Sequence, residues 1–314
     1  MKSRLVITAL LGSGMAMAQT TAAPAQPQGK STPAQPQSGS GQAQPATGGH
    51  RMLQAKSQEE MKAYQDATAI ADPAQMLAAA DAFAAKFPTS ELRAALYIRA
   101  MNLYGQQNST EKLIETGRKA IAADPTNPVP LVQVAAALAE STRDTDMDRQ
   151  QRLDEAAKDA HAAIDNLDTG LMVPPNTPPE KVALAKASIR AMAYDTLGTV
   201  QMAKKDYAAA EQELLKAVDA AKANPEAVVY LRLSVAQDQL KKYPEALDSA
   251  NKAIQYAPDG SAAQNLAKQQ QVRLQKLIAA GSAGGGTALP SEIPAPPASG
   301  GQPPQPNPPA TPPH

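Results

Sequence analysis

The chain has 314 residues, with 30 Lys and Arg balanced by 30 Asp and Glu, no cysteine, no tryptophan, two phenylalanines and 28 prolines. A net charge of zero without a basic stripe argues against a nucleic-acid partner, and the absence of cysteine removes disulfides, thiol chemistry and any cysteine-borne lipid anchor. Alanine, the best helix former, dominates the middle of the chain, which suits helices closed by near approach of backbones better than it suits a large enzyme pocket.

At the N-terminus Lys2 and Arg4 precede an apolar run from Leu5 to Leu11 and a small-residue stretch ending Ala16-Met17-Ala18. That is the layout of a secretory signal over residues 1–18, with cleavage after Ala18. The run is interrupted at Gly12, Ser13 and Gly14, short of the ~20 apolar residues of a spanning helix. The expected mature protein is therefore exported, to the periplasm or beyond, with no integral membrane span; an uncleaved anchor is the alternative. Residues 19–56 are mostly Ala, Gln, Pro, Gly, Ser and Thr, too poor in large apolar side chains to offset the entropy of ordering, and read as a disordered linker.

From residue 57 to 280 helical periodicity takes over, punctuated by prolines where helices begin: Asp72-Pro73, Pro125 to Pro130, Pro174 to Pro179, Asn224-Pro225 and Tyr243-Pro244. A first pair spans about Ser57 to Phe87. A second pair carries Tyr97, Tyr104, Leu113, Ala120 and Pro125. A third pair, with Leu131, Val134, Ala135 and Leu138 followed by Ala156, Ala160, Ala163 and Ile164, is split by the polar stretch Ser141 to Arg152. The segment from Asp168 to Pro179 is long for a connection and is expected to let two halves flex. From Glu180 to about Lys204 one helix of roughly 35 Å is long enough to bridge them.

The clearest signal follows. Tyr194, Leu197, Gly198, Tyr207, Ala210, Leu214 and Ala217 return as Tyr230, Leu233, Ser234, Tyr243, Ala246, Ala250 and Ala253, offset by 36 residues. A fixed offset of this size marks stacked two-helix units that bury their apolar faces only against neighbours. These residues, with Pro258 closing the second copy, resemble the tetratricopeptide repeat, and the pair around Tyr97 is a weaker copy. In that weaker copy Met101 replaces the family's glycine and Gly117 its large apolar residue, so looser packing is expected there. The ends of the first pair, Phe83, Phe87, Pro88, Ser90 and Leu92, resemble periplasmic repeat proteins related to outer-membrane assembly lipoproteins.

The predicted fold is all-α, a tetratricopeptide-like solenoid of helical hairpins between a linker and a Pro-rich tail. Leu197, Gly198, Ala210, Leu214, Ala217, Ala246, Ala253 and Pro258 are the expected packing positions. Ala262 to Ile278 reads as a capping helix, with Gln264, Lys268, Gln271 and Lys276 on its polar side and Leu266, Val272, Leu274 and Ile278 on its apolar side. Residues 281–314 are Gly- and Pro-rich, with Pro303-Pro304, Pro308-Pro309 and Pro312-Pro313; they read as a disordered spacer or as a polyproline II ligand for aromatic grooves.

Material for catalysis is thin. His50 is in the linker, His314 is the last residue, and His161 stands alone on a repeat helix with no identifiable partner to orient it. Asp144, Asp146 and Asp148 alternate as in a calcium loop, but Arg149 and Glu155 occupy the places of its glycine and closing glutamate; a solvated acidic loop is the plainer reading. No enzyme activity, cofactor or metal is expected.

The resemblance implies instead a concave groove lined by the first helix of each pair, at Ile98, Asn102, Val132, Ala136, Asp195, Thr199, Leu231, Val235 and Asp238. Asn102 holds the place of the asparagine with which some members clamp a C-terminal carboxylate, but Ile98 stands where the clamp needs lysine. A mixed apolar and neutral groove favours a helix or extended segment of another protein; the competing reading is that several of these residues only pack on the next repeat. The expected function is a non-enzymatic protein-interaction scaffold of the cell envelope, and the alternative is a structural tether whose Pro-rich tail touches the cell wall or an outer layer. Oligomeric state is left open.

Overall fold

The computed structural model describes residues 54–173 and 176–282, which form eleven α-helices in chain order. The segment expected to be a signal peptide (1–18), most of the linker, and the Pro-rich tail (281–314) apart from Gly281 and Ser282, which end the last helix, lie outside the described residues, as do Pro174 and Pro175. The helices are α1 (Gln58–Thr68), α2 (Pro73–Lys86), α3 (Leu92–Gln106), α4 (Thr110–Ala123), α5 (Pro128–Ser141), α6 (Arg149–Asp165), α7 (Pro179–Ala203), α8 (Tyr207–Ala220), α9 (Ala227–Gln239), α10 (Tyr243–Tyr256) and α11 (Ala262–Ser282). Among the described residues no helix is long and apolar enough to cross a membrane.

Local chemistry sets the helix starts. Ser57, Asp72, Asn127 and Asp206 each turn a side-chain oxygen onto a backbone N–H of the first turn, at 3.1, 2.9, 3.1 and 3.0 Å, satisfying donors the helix cannot. Pro73, Pro128 and Pro179 open their helices where a missing N–H costs nothing. The turns inside three hairpins share one stop. Asn108, Lys205 and Lys241 adopt positive φ of 56°, 62° and 60°, and the next N–H reaches back over the turn: Ser109 to Tyr104, Asp206 to Gln201 and Lys242 to Gln237, at 3.0, 2.9 and 2.9 Å. This is the left-handed C-terminal motif usually supplied by glycine.

Helices α3 and α4, α5 and α6, α7 and α8, and α9 and α10 form antiparallel hairpins, and each second helix also packs on the first helix of the next unit. One apolar cluster runs from Ala67 to Val200, taking in Met76, Leu96, Met101, Ile114, Leu138, Leu153 and Ile189. Because α7 is 25 residues long, it packs on α5 and α6 of the preceding unit as well as on α8 and α9. Leu167 and Leu171 are buried in the same cluster as Ala185 and Ile189, and a methyl on Gly170 would run into the Thr126 carbonyl. This first part of the connection before α7 is thus packed against the array rather than a free hinge between halves.

Leu197, Gly198, Ala210, Leu214, Ala217, Ala246 and Ala253 are buried in the seams between helices. Pro258 is exposed; it sits in the turn after α10, and the buried residue there is Ala257. The α3–α4 hairpin differs from the expectation of looseness. Met101 and Ala120 are fully buried, and a Cβ on Gly117 would lie 2.9 Å from Met101 Sδ and closer still to Val134. Large and small have changed places across the seam, so it is equally filled.

From α8 onward the apolar clusters shrink to small groups around Leu214, Ala253 and Leu274, and hydrogen bonds share the load. Ser234 donates to the Ala246 carbonyl at 2.7 Å, Ser249 to Gln237 at 2.7 Å, and Lys242 to Glu211 at 2.6 Å. The capping helix departs from its expected sides: Gln264, Ala267, Gln270 and Leu274 form the buried stripe, whereas Val272 is exposed. Gln270 is turned inward because its amide donates to Asp238 at 3.1 Å.

Candidate functional site: the inner wall of the repeats

The first helices α3, α5, α7 and α9 carry the residues expected to line the inner wall. The structure divides the nine expected wall residues. Ile98 and Val132 are buried in the main apolar cluster, Leu231 is buried with Ala253 and Ala267, and Asp238 is covered by Arg273 and Gln270 of α11. These four pack on neighbouring helices and are not free for a partner, since first helices here also touch one another and the capping helix fills the last position. Asn102, Ala136, Asp195, Thr199 and Val235 remain partly exposed.

Charged ties hold the wall together. Arg232 on α9 pairs with Asp195 on α7 and, at 2.9 Å, with Glu140 on α5. One guanidinium therefore joins three successive repeats. Burial pushes the Asp195 carboxyl above the usual range, against the pull of Arg232, and its Oδ1 is buried without a hydrogen-bond partner. Glu226, just before α9, is also raised, by burial and then by the neighbouring Asp195 charge. One repeat further on, Arg273 of α11 pairs with Asp238 of α9. Two aspartates read from the sequence as partner-facing are thus held by arginines of this chain, in a planar geometry that suits carboxylates.

The insertion between α5 and α6 is tied down in the same way. Arg149 donates to the Ala203 carbonyl at the end of α7 and pairs with Asp144 at 3.1 Å, the Arg143 N–H donates to Asp146 at 2.8 Å, and Lys204 pairs with Asp154 at 2.9 Å. His161 is exposed. Among the described residues no group of His, Asp and Glu is placed to hold a metal ion.

One repeated contact went unread in the sequence. Lys119, Lys216 and Lys252 on second helices lie 5.9, 5.5 and 6.0 Å from the ring centroids of Tyr97, Tyr194 and Tyr230 on first helices, within cation–π range. The Tyr-to-Lys spacing is the same in all three copies, and that constancy was the available signal.

The hairpin stack, the shared turn and the small-for-large seams define the architecture. The fold is a tetratricopeptide-type helical repeat. No protein-family model and no curated protein matches the sequence. Among solved structures the chain is similar to TTC0263, a thermophilic tetratricopeptide protein of Thermus thermophilus, at 14% identity and a TM-score of 0.40, over 71% of this chain and 98% of that one. It is also similar to the MamA protein, at 15% identity and a TM-score of 0.36, over 63% and 98%, and to BtubC from P. vanneervenii, at 14% identity and a TM-score of 0.41, over 76% and 98%. The assignment of the fold rests on the hairpins of this chain.

Proposed function

We propose that this protein is an exported, non-enzymatic scaffold of the cell envelope that holds a helix or extended segment of another protein against the inner wall. The observation that carries this reading is the wall itself. It combines partly exposed Asn102, Ala136, Thr199 and Val235 with a largely covered Arg232 brace that ties three repeats to one another. A wall ordered before binding spares the partner the entropy of assembling it. Ala136 and Val235 offer apolar contact, and Asn102 and Thr199 offer neutral hydrogen bonding, the mixture that an amphipathic segment satisfies. Export is the part of the reading that rests on the first 18 residues alone.

The test is site-specific photocrosslinking in cells, with a photoreactive residue at Thr199 or Val235 and a control at Asp219, on a second helix. The reading requires one common adduct from both wall positions and none from the control, and Val235→Glu should abolish the adduct formed from Thr199. Equal labelling from all three positions would contradict it, and so would export-independent recovery of the protein in the cytoplasm.

A further inference from the structure

On the side of the array that carries the second helices, α8 and α10 do not close on each other. Between them lies an open cleft of about 510 Å³, floored by Leu215, Val218, Tyr230 and Leu233 and walled by Pro244 and Lys252. Leu215 is exposed in it. The Tyr230 ring is backed by Tyr256 at 5.4 Å between centroids, which fixes it as a flat wall, and Lys252 stands over its face.

The sequence beyond Ser282 carries a complementary pattern. Pro294, Pro297, Pro303, Pro306, Pro309 and Pro312 all fall on a three-residue period, and between Pro294 and Pro313 there is no charged residue. A polyproline II chain has three residues per turn and a rise of about 3.1 Å per residue, so such a stripe stacks on one edge with a proline every ~9 Å. The cleft follows α10 from Pro244 to Lys252, a distance of about 12 Å at 1.5 Å per residue, which accommodates two successive prolines of the stripe. Aromatic-lined grooves are what this conformation docks on, and because Glu245 and Asp248 also line the cleft, an uncharged segment suits it better than an acidic one.

Connectivity favours the same molecule. Leu274 of α11 packs on Ala246 and Ala250 in the first half of α10, beside Tyr243, so α11 runs antiparallel to α10 and ends beyond the α10 N-terminus, on the side of the Pro244 mouth of the cleft. The twenty residues from Ser282 to Gln302 reach about 60 Å when extended, against about 21 Å for the whole of α10. A tether of that length gives an effective concentration on the order of millimolar.

We propose that the α8–α10 cleft is the docking site of this chain's own proline stripe, bound within one molecule as a polyproline II strand, with two successive prolines from residues 303–312 seated in the cleft at a time. The test uses the full chain, which has no cysteine of its own, carrying Gln302→Cys with a nitroxide label. Amide signals of Leu215, Tyr230 and Lys252 should lose most of their intensity, while those of Ala94 and Ala135, in the distant hairpins, keep theirs. Leu215→Glu, a change at an exposed position, or serine at all four of Pro303, Pro306, Pro309 and Pro312 should restore the lost signals. Broadening that is absent, or spread evenly over the surface, overturns the proposal. So does broadening that appears when label-free isotope-enriched protein is mixed with labelled protein of natural abundance, because the occupant would then be a second copy.

Discussion

A Cβ placed on Gly198 would lie 2.6 Å from Leu214 Cγ, so the glycine of α7 is the space that the leucine of α8 fills. The same sixteen-residue spacing pairs Met101 with Gly117 in the α3–α4 hairpin and Ser234 with Ala250 in the α9–α10 hairpin. The seam takes one large and one small residue, or two small ones beside a hydrogen bond from the Ser234 hydroxyl to the Ala246 carbonyl. Between the α3–α4 and α7–α8 hairpins, which helix carries the bulk changes while the summed volume is kept.

Leu214 is fully buried, and Leu214→Ala should therefore cost about 2–5 kcal/mol, a transfer loss plus a cavity that two helix backbones cannot collapse. Urea unfolding followed by circular dichroism measures it. A negligible change would place the side chain outside the seam.

Removing Arg232 strands carboxylates that burial already disfavours. Arg232→Met should lower stability by about 3–5 kcal/mol at neutral pH, because Asp195 stays charged without its partner. The loss should shrink as pH falls, since protonating Asp195 removes the uncompensated charge. Pairing the change with Asp195→Leu should recover part of the stability even at neutral pH. Denaturant curves of the three variants at neutral and acidic pH check both points.

Asp159 on α6 has its carboxyl pushed up to about 6, first by burial and then by the Glu155 charge, with Lys158 and Arg118 opposing. A raised carboxyl binds a proton more readily in the folded than in the unfolded chain. Its contribution therefore favours folding at low pH and becomes less favourable as pH rises between about 4 and 6. Asp159→Asn should stabilise the protein at pH 7.5, on the order of 1–3 kcal/mol, with the gain fading below about pH 4. Thermal melts of both proteins across that range give the sign directly.

Lys205 and Lys241 hold left-handed φ values with exposed side chains, a conformation that costs an L-residue about 1–2 kcal/mol. Lys205→Gly and Lys241→Gly should each raise stability, by about 1 kcal/mol after the entropy of the more flexible unfolded chain is deducted. A drop in melting temperature for either would mean that its side chain makes contacts in the turn.

The architecture was legible because Ala210 and Ala246 are small for a reason that recurs: a constant offset of 36 residues repeats both spacing and size. The wall was legible only in part. Periodicity places Ile98, Val132, Leu231 and Asp238 on the correct helices, but a period of 3.6 residues does not say how far the next helix reaches around. The reach of α7 to α5 and of α11 to α9 is a tertiary property. The exchange of Met101 and Gly117 reads as two separate departures until their side chains are seen to meet. Gln264 and Gln270 look like surface residues because glutamine usually is one; their burial depends on Asp259 and Asp238 being opposite.

The volume exchange across the seam is most directly tested by a double-mutant cycle on Gly198→Met and Leu214→Gly, which moves the bulk to α7 as Met101 and Gly117 carry it on α3. The account predicts that each single change is strongly destabilising and that the double variant is more stable than Gly198→Met alone, with a favourable coupling of about 1–3 kcal/mol. Strictly additive losses, with the double variant the least stable of the set, would contradict it.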